Sequence, residues 1–179
     1  MKNPDEFFMT VANLVALQST CVRVKVGAVI AKDNRIVSIG YNGTPPKYPN
    51  CCDVFKYSNT KNDNILSVPK DSSLVIIDPT YANLTHHEFS ELYEVHAEMN
   101  AIIFAWKNEV NIVGSTIYST TFPCMNCTKM IITSGIKKLV YQDKYDMEDQ
   151  VLKIKFLNDN GVEVIQFKPT FELLKKLFQ

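Results

Sequence analysis

The chain has 179 residues, which favours one domain with a sizeable core, and its 46% hydrophobic, 21% charged composition excludes a disordered or fibrous protein. Lys plus Arg and Asp plus Glu each number 19, so the formal net charge is zero; a polynucleotide binder usually carries a basic excess, so the balance favours a small substrate and no nucleic acid. No apolar stretch approaches the roughly 18 residues that span a bilayer, and Met1-Lys2-Asn3-Pro4-Asp5-Glu6 does not open an export signal, so a soluble cytoplasmic protein with no membrane partner is expected.

In chain order, apolar residues at Phe7, Phe8, Val11, Leu14, Val15 and Leu17 predict a helix over Pro4–Gln18, with Asp5 and Glu6 suiting its first turn. Val24–Ala31 and Arg35–Ile39 read as two strands joined by a tight turn at Lys32-Asp33-Asn34. Gly40-Tyr41-Asn42-Gly43-Thr44-Pro45-Pro46 is a loop rich in breakers. From Cys51 to about Tyr93 the pattern weakens: Asn59–Asn64 is polar, Val68-Pro69-Lys70 breaks, and Leu74–Ile77 is a short apolar run. Such a stretch inside a compact domain marks a functional insertion or lid, placed at about 54–93 of a single domain spanning 1–179.

Order returns with a helix over Tyr93–Lys107, whose buried face is predicted at Val95, Met99, Ile102, Ile103 and Trp106. The remaining elements are a strand at Thr116–Thr120, a helix at Cys124–Ser134 ended by Gly135, a strand at Lys138–Gln142, a helix at Glu148–Asn158, a strand at Val162–Gln166 and a terminal helix at Phe171–Leu177. Strands alternating with helices predict an α/β fold, three layers (α/β/α) around a central five-stranded mixed sheet.

The chemistry concentrates in His96-Ala97-Glu98 and Pro123-Cys124-Met125-Asn126-Cys127. One imidazole and two thiolates leave a tetrahedral zinc one ligand short, the open position that a catalytic site keeps for water. Glu98 is then free to move protons. Helical pitch sets residues 96 and 98 about 200° apart, so His96 is placed at the very start of its helix. Cys124 and Cys127 lie on one face of a first helical turn, where the helix terminus favours thiolate. A redox Cys-x-x-Cys would leave His96 and Glu98 unexplained, and the adjacent Cys51-Cys52 does not complete a zinc ribbon.

His-x-Glu followed by Pro-Cys-x-x-Cys marks zinc-dependent nucleobase deaminases. Together with Val26-Gly27-Ala28-Val29-Ile30, Gly40-Tyr41-Asn42-Gly43, His96-Ala97-Glu98-Met99-Asn100-Ala101-Ile102, Ser134-Gly135-Ile136-Lys137 and Asp143-Lys144-Tyr145, the chain resembles the deoxycytidylate (dCMP) deaminases of the cytidine deaminase superfamily over roughly residues 10–166. The resemblance implies a catalytic zinc on His96, Cys124 and Cys127, Glu98 as the proton carrier, attack by water at C4 of cytosine, and conversion of dCMP to dUMP for thymidylate synthesis. It implies a substrate contact at Tyr145, while Arg23 and Lys25 are cationic candidates for the 5′-phosphate. It also implies a second, structural zinc on Cys21, Cys51, His86 and Glu94, with Cys52 and His87 as adjacent substitutes. Relatives are commonly homohexamers activated by dCTP and inhibited by dTTP with Mg2+; Asn42, Gly43 and Lys107 are the candidate effector residues.

Blander readings stand beside these. Tyr145, Arg23 and Lys25 can be ordinary surface residues, Cys21 a small buried hydrophobe, and Asn42 a turn former. Deamination of another amino-nucleobase, or a zinc-held module without catalysis, remains the alternative, and Glu98 discriminates the latter because such a module has no use for a carboxylate at an open metal position.

Overall fold

The computed structural model describes residues 3–57, 74–144 and 147–175. Its elements begin α1 (Pro4–Ala16), β1 (Gly27–Lys32), β2 (Arg35–Tyr41), α2 (Cys51–Val54), β3 (Phe55–Tyr57) and β4 (Leu74–Ile76). A short 3-10 turn (Pro79–Tyr81) precedes α3 (His86–Tyr93), α4 (Ala97–Lys107), β5 (Thr116–Thr121), α5 (Met125–Thr133), β6 (Lys138–Asp143), α6 (Met147–Asp159), β7 (Glu163–Gln166) and α7 (Glu172–Lys175). The polar run and break expected at 59–70, Tyr145, and the final turn expected of the terminal helix lie outside the described residues. Among the described residues no helix is long and apolar enough to cross a membrane.

Two compact units emerge, one of Met1–Ser19, Lys25–Asn42 and His96–Gln179, the other of Thr20–Val24 and Gly43–Val95. The first holds the expected five-stranded mixed sheet, in the order β2-β1-β5-β6-β7. β1 runs antiparallel to β2 and β5, while β5, β6 and β7 are mutually parallel. The parallel pairs need crossovers, which α5 and α6 supply. The hairpin turn has Asp33 and Asn34 at φ 50° and 58°, the left-handed pair of a type I′ turn that follows strand twist.

Helices cover both faces of this sheet, and the strand residues sort between them with period two. Val29 and Ala31 join Phe8, Met9, Ala12 and Val15 of α1 in one core. Ala28 and Ile30 join Ala97 and Ala101 of α4, Ile131 of α5 and Leu157 of α6 in the other. α1 is capped by the Asn3 side chain, which accepts from Glu6 N at 3.2 Å. It stops at Ala16 instead of Gln18 because the amides of Leu17, Gln18 and Ser19 turn back to carbonyls three residues earlier. Phe7, Leu14 and Leu17 are exposed, while Phe8, Met9, Ala12 and Val15 face the core.

β1 also starts later than expected, at Gly27. Val26 N–H donates to Asn42 Oδ1 at 2.8 Å, so a side chain replaces a ladder bond and Arg23 and Lys25 precede the strand. The helix expected over Tyr93–Lys107 starts only at Ala97, and a separate helix not expected from the sequence, α3, ends at Tyr93. Val95 N–H donates to Gly43 O at 2.8 Å, and this β-bridge forces the extended backbone that ends α3 and delays α4 to Ala97.

Of the face predicted to be buried, Ile102 is buried, Val95, Met99 and Ile103 are half-buried and Trp106 is 78% exposed; α4 also buries Ala97, Glu98, Ala101 and Ala105. The reason is proximity. A Cβ on Gly40 would lie 2.3 Å from Ala97 O and 2.4 Å from Ala101 N, so α4 rides on the sheet through small residues and its bulky ones turn out. Ser38 seals the same seam by donating to Ala101 O at 2.6 Å. Gly40→Ala must push away the helix that begins at His96 and carries Glu98. We expect a destabilisation of about 1–3 kcal/mol together with reduced turnover, read by thermal melting and kcat; a variant equal to the parent in both would refute this packing account.

In the second unit β3 and β4 form an antiparallel pair. Cys21, Cys51, Val54, Phe55 and Phe89 make its core, lined by Tyr48, Tyr81 and Tyr93. α3 starts at a capping box: Thr85 Oγ1 accepts from Glu88 N at 3.2 Å while Glu88 Oε2 accepts from Thr85 N at 2.7 Å. Thr85-His86-His87-Glu88 was a readable start signal inside the stretch taken as weakly patterned.

Candidate active site

His96 is the N-cap of α4, as its spacing from Glu98 demanded, with extended φ −68° and ψ 155°. The predicted helix start, Cys124, is the N-cap of α5, so the helix proper begins one residue later at Met125, and the Cys124 sulfur faces the Cys127 amide at 3.5 Å. The two helix starts bring His96, Cys124 and Cys127 together, with ligand atoms all within 4.8 Å of one another. His96 Nδ1 lies 3.4 Å from Cys124 Sγ and 3.6 Å from Cys127 Sγ. Zinc bonds of about 2.3 Å to sulfur and 2.0–2.1 Å to nitrogen, in a tetrahedron, set nitrogen–sulfur edges of about 3.5 Å. The donor set and its spacing therefore fit zinc with one position open.

Electrostatics agree. The two thiols titrate as a pair: the hydrogen bond from Cys127 first, then His96 and the Cys127 amide, hold the Cys124 thiol low. Cys127 is pushed up by the same shared hydrogen bond and by burial. Glu98 is 3% exposed, and its Oε1 accepts from Ser119 Oγ at 3.0 Å. Burial pushes its carboxyl above the ordinary value, against its own backbone amide, His96 and Ser119, which favour the charged form. A buried carboxyl beside a three-ligand metal position can take a proton from water and pass it on. Ser119 carries no motif signal; only the packing of α4 on the sheet brings it to Glu98.

The second unit gathers another cluster. Cys21, Cys51 and His86 have ligand atoms within 4.8 Å of one another. His86 Nε2 lies 3.2 Å from Cys51 Sγ and 3.6 Å from Cys21 Sγ, spacings that again fit zinc. Here Cys21 is held low by the hydrogen bond from Cys51, then by His86. Glu94 is not in that triad; it is buried, accepts from Ser90 Oγ at 2.7 Å, and its charge adds to what raises Cys51. Between the adjacent pairs the structure selects Cys51 over exposed Cys52 and His86 over exposed His87.

The other sequence candidates are placed less decisively. Arg23 and Lys25 are exposed, and Arg23 lies near enough to Tyr57 to oppose the burial that raises that phenol. Asn42 is buried and engaged with Val26, Gly43 bridges to Val95, and Lys107 is exposed at the end of α4.

A mixed five-stranded sheet that delivers two cysteines and a histidine from two helix starts, with a buried glutamate alongside, defines a zinc-binding deaminase. The chain belongs to the family described as the cytidine and deoxycytidylate deaminase zinc-binding region, which it matches over residues 2–143. It is 41% identical over 174 residues to the deoxycytidylate deaminase of Enterobacteria phage T4, covering 87% of this chain and 86% of that one. It is 34% identical over 169 residues to the deoxycytidylate deaminase of Homo sapiens, covering 92% and 79%. The crystal structure of dCMP deaminase from cyanophage S-TIM5 in complex with dCMP and dUMP is similar, with a TM-score of 0.64 at 32% identity over 90% of this chain and 95% of that one.

Proposed function

We propose that this chain hydrolyses dCMP to dUMP and ammonia, supplying a precursor of thymidylate. The carrying observation is the buried Glu98 carboxyl at the His96–Cys124–Cys127 cluster; the substrate rests on likeness to deoxycytidylate deaminases over most of their length and of this chain. A zinc ion held by His96, Cys124 and Cys127 supplies Lewis-acid activation of water. Glu98 takes one proton from the attacking water and delivers it to N3 of the ring, then carries the second, from the hydroxyl formed at C4, to the amine that leaves as ammonia. Its raised proton affinity suits a group that must both accept and donate near neutral pH.

Tyr145 contributes a substrate contact, on the strength of the Asp143-Lys144-Tyr145 motif. Arg23 and Lys25, both exposed cations, meet the 5′-phosphate. A second zinc on Cys21, Cys51 and His86, with Glu94 as fourth ligand, is structural, because four protein ligands leave no place for water. dCTP activates and dTTP with Mg2+ inhibits, through Asn42, Gly43 and Lys107; Gly43 bonds to Val95, the neighbour of His96 in sequence. The active form is a homohexamer, a reading supported by Phe104 and Trp106, 55% and 78% exposed on α4. Free cysteines suit the reducing cytoplasm.

The test follows loss of cytosine absorbance with dCMP, alone and then with dTTP plus Mg2+. Turnover that dTTP suppresses is the expected result. Turnover indifferent to dTTP and dCTP removes the effector site, and turnover only of cytidine or another amino-nucleobase replaces the substrate.

A further inference from the structure

We propose that Ser119 is the positioning residue of the proton carrier: its hydroxyl fixes the orientation of the Glu98 carboxylate. The inference rests on Glu98 as the proton carrier. Glu98 follows Ala97 in the first turn of α4, and a glutamate there is free to choose among several rotamers, its terminal torsion being broad. Two groups remove that freedom. Its own backbone N–H reaches back to the carboxylate, and Ser119 Oγ meets Oε1 at 3.0 Å.

Ser119 is itself immobilised. It lies within β5, with Ala28 of β1 opposite on one side and Tyr141 of β6 on the other, so its backbone is held at both edges. It is 0% exposed, which excludes water as a competing acceptor for its proton. A carboxylate offers only acceptors, so the hydroxyl must donate. That bond sets the plane and tilt of the carboxylate that exchanges protons with water, ring nitrogen and amine. A helix start alone sets the Glu98 backbone; the neighbouring strand sets the carboxylate, and catalysis needs the second as much as the first.

The discriminating experiment compares Ser119→Ala, Ser119→Thr and Glu98→Gln with the parent for kcat, KM, zinc per chain and melting temperature. Ser119→Ala is expected to keep zinc and hold KM within about twofold while kcat falls about tenfold to a hundredfold, the usual weight of a hydrogen bond to a charged group. Ser119→Thr, which keeps the hydroxyl, is expected to recover most of kcat. Parental kcat in Ser119→Ala overturns the proposal, as does a loss carried by KM or by zinc. A Thr variant that folds like the parent yet stays as slow as Ser119→Ala overturns it too; if Thr does not fold, the kcat–KM split of Ser119→Ala decides. Full activity in Glu98→Gln would instead sink the proton-carrier reading beneath it.

Discussion

Glu98→Ala is expected to lose turnover by roughly a hundredfold to ten-thousandfold, the range general acid–base catalysis contributes, while retaining its zinc. The argument is positional. Glu98 is not among the three side chains whose ligand atoms cluster, so removing it leaves His96, Cys124 and Cys127 in place. It is 3% exposed, so bulk water cannot stand in for it as a proton relay. Stability should move little: truncation relieves the burial that raises its proton affinity, but leaves Ser119 without its acceptor. Kinetics with dCMP, metal analysis and melting on one preparation separate these effects. A Glu98→Ala protein turning over at the parental rate would refute the mechanism outright.

What could be read from the chain without coordinates was what neighbouring residues impose on one another. The hairpin turn at Asp33-Asn34, the strand through Val29–Ala31 and the helix-start geometry of His96 and Cys124 follow from turn chemistry, strand propensity and metal chemistry that tolerates few spacings. What escaped depends on distant partners. Trp106 looked like a core residue because it is large and apolar, yet the sheet approaches α4 so closely at Gly40 that only alanines fit beneath it. The break at Val95 comes from a bridge to Gly43, 52 residues earlier in sequence, which no local propensity records. Ser119 reaches Glu98 only through the packing of α4 on the sheet. The capping box of α3 is different: Thr85 and Glu88 were legible, and a stretch dismissed for weak periodicity hid them.

Cys51→Ser should take the protein from two zinc ions per chain to one and unfold the second unit at a lower temperature than the first. Among its described residues that unit buries few apolar side chains, chiefly Val54, Phe55 and Phe89 beside the cysteines, and cores so small usually need a staple. Its staple joins segments 35 and 65 residues apart in sequence, as measured from His86 to Cys51 and to Cys21. Structural zinc sites in finger peptides carry apparent binding free energies of about 10–16 kcal/mol, comparable with the whole margin of about 5–15 kcal/mol by which domains are stable. Serine keeps the size and loses the thiolate, so the expected result is a separate, earlier melting step with the His96 site still loaded. Cys52→Ser is the control, because Cys52 is exposed and its sulfur lies 3.8 Å from Asp53 Oδ1, outside the cluster. One zinc per chain in parent and variant alike would remove the second site, whereas loss in Cys52→Ser but not Cys51→Ser would move the ligand by one residue and overturn the burial argument that selects Cys51.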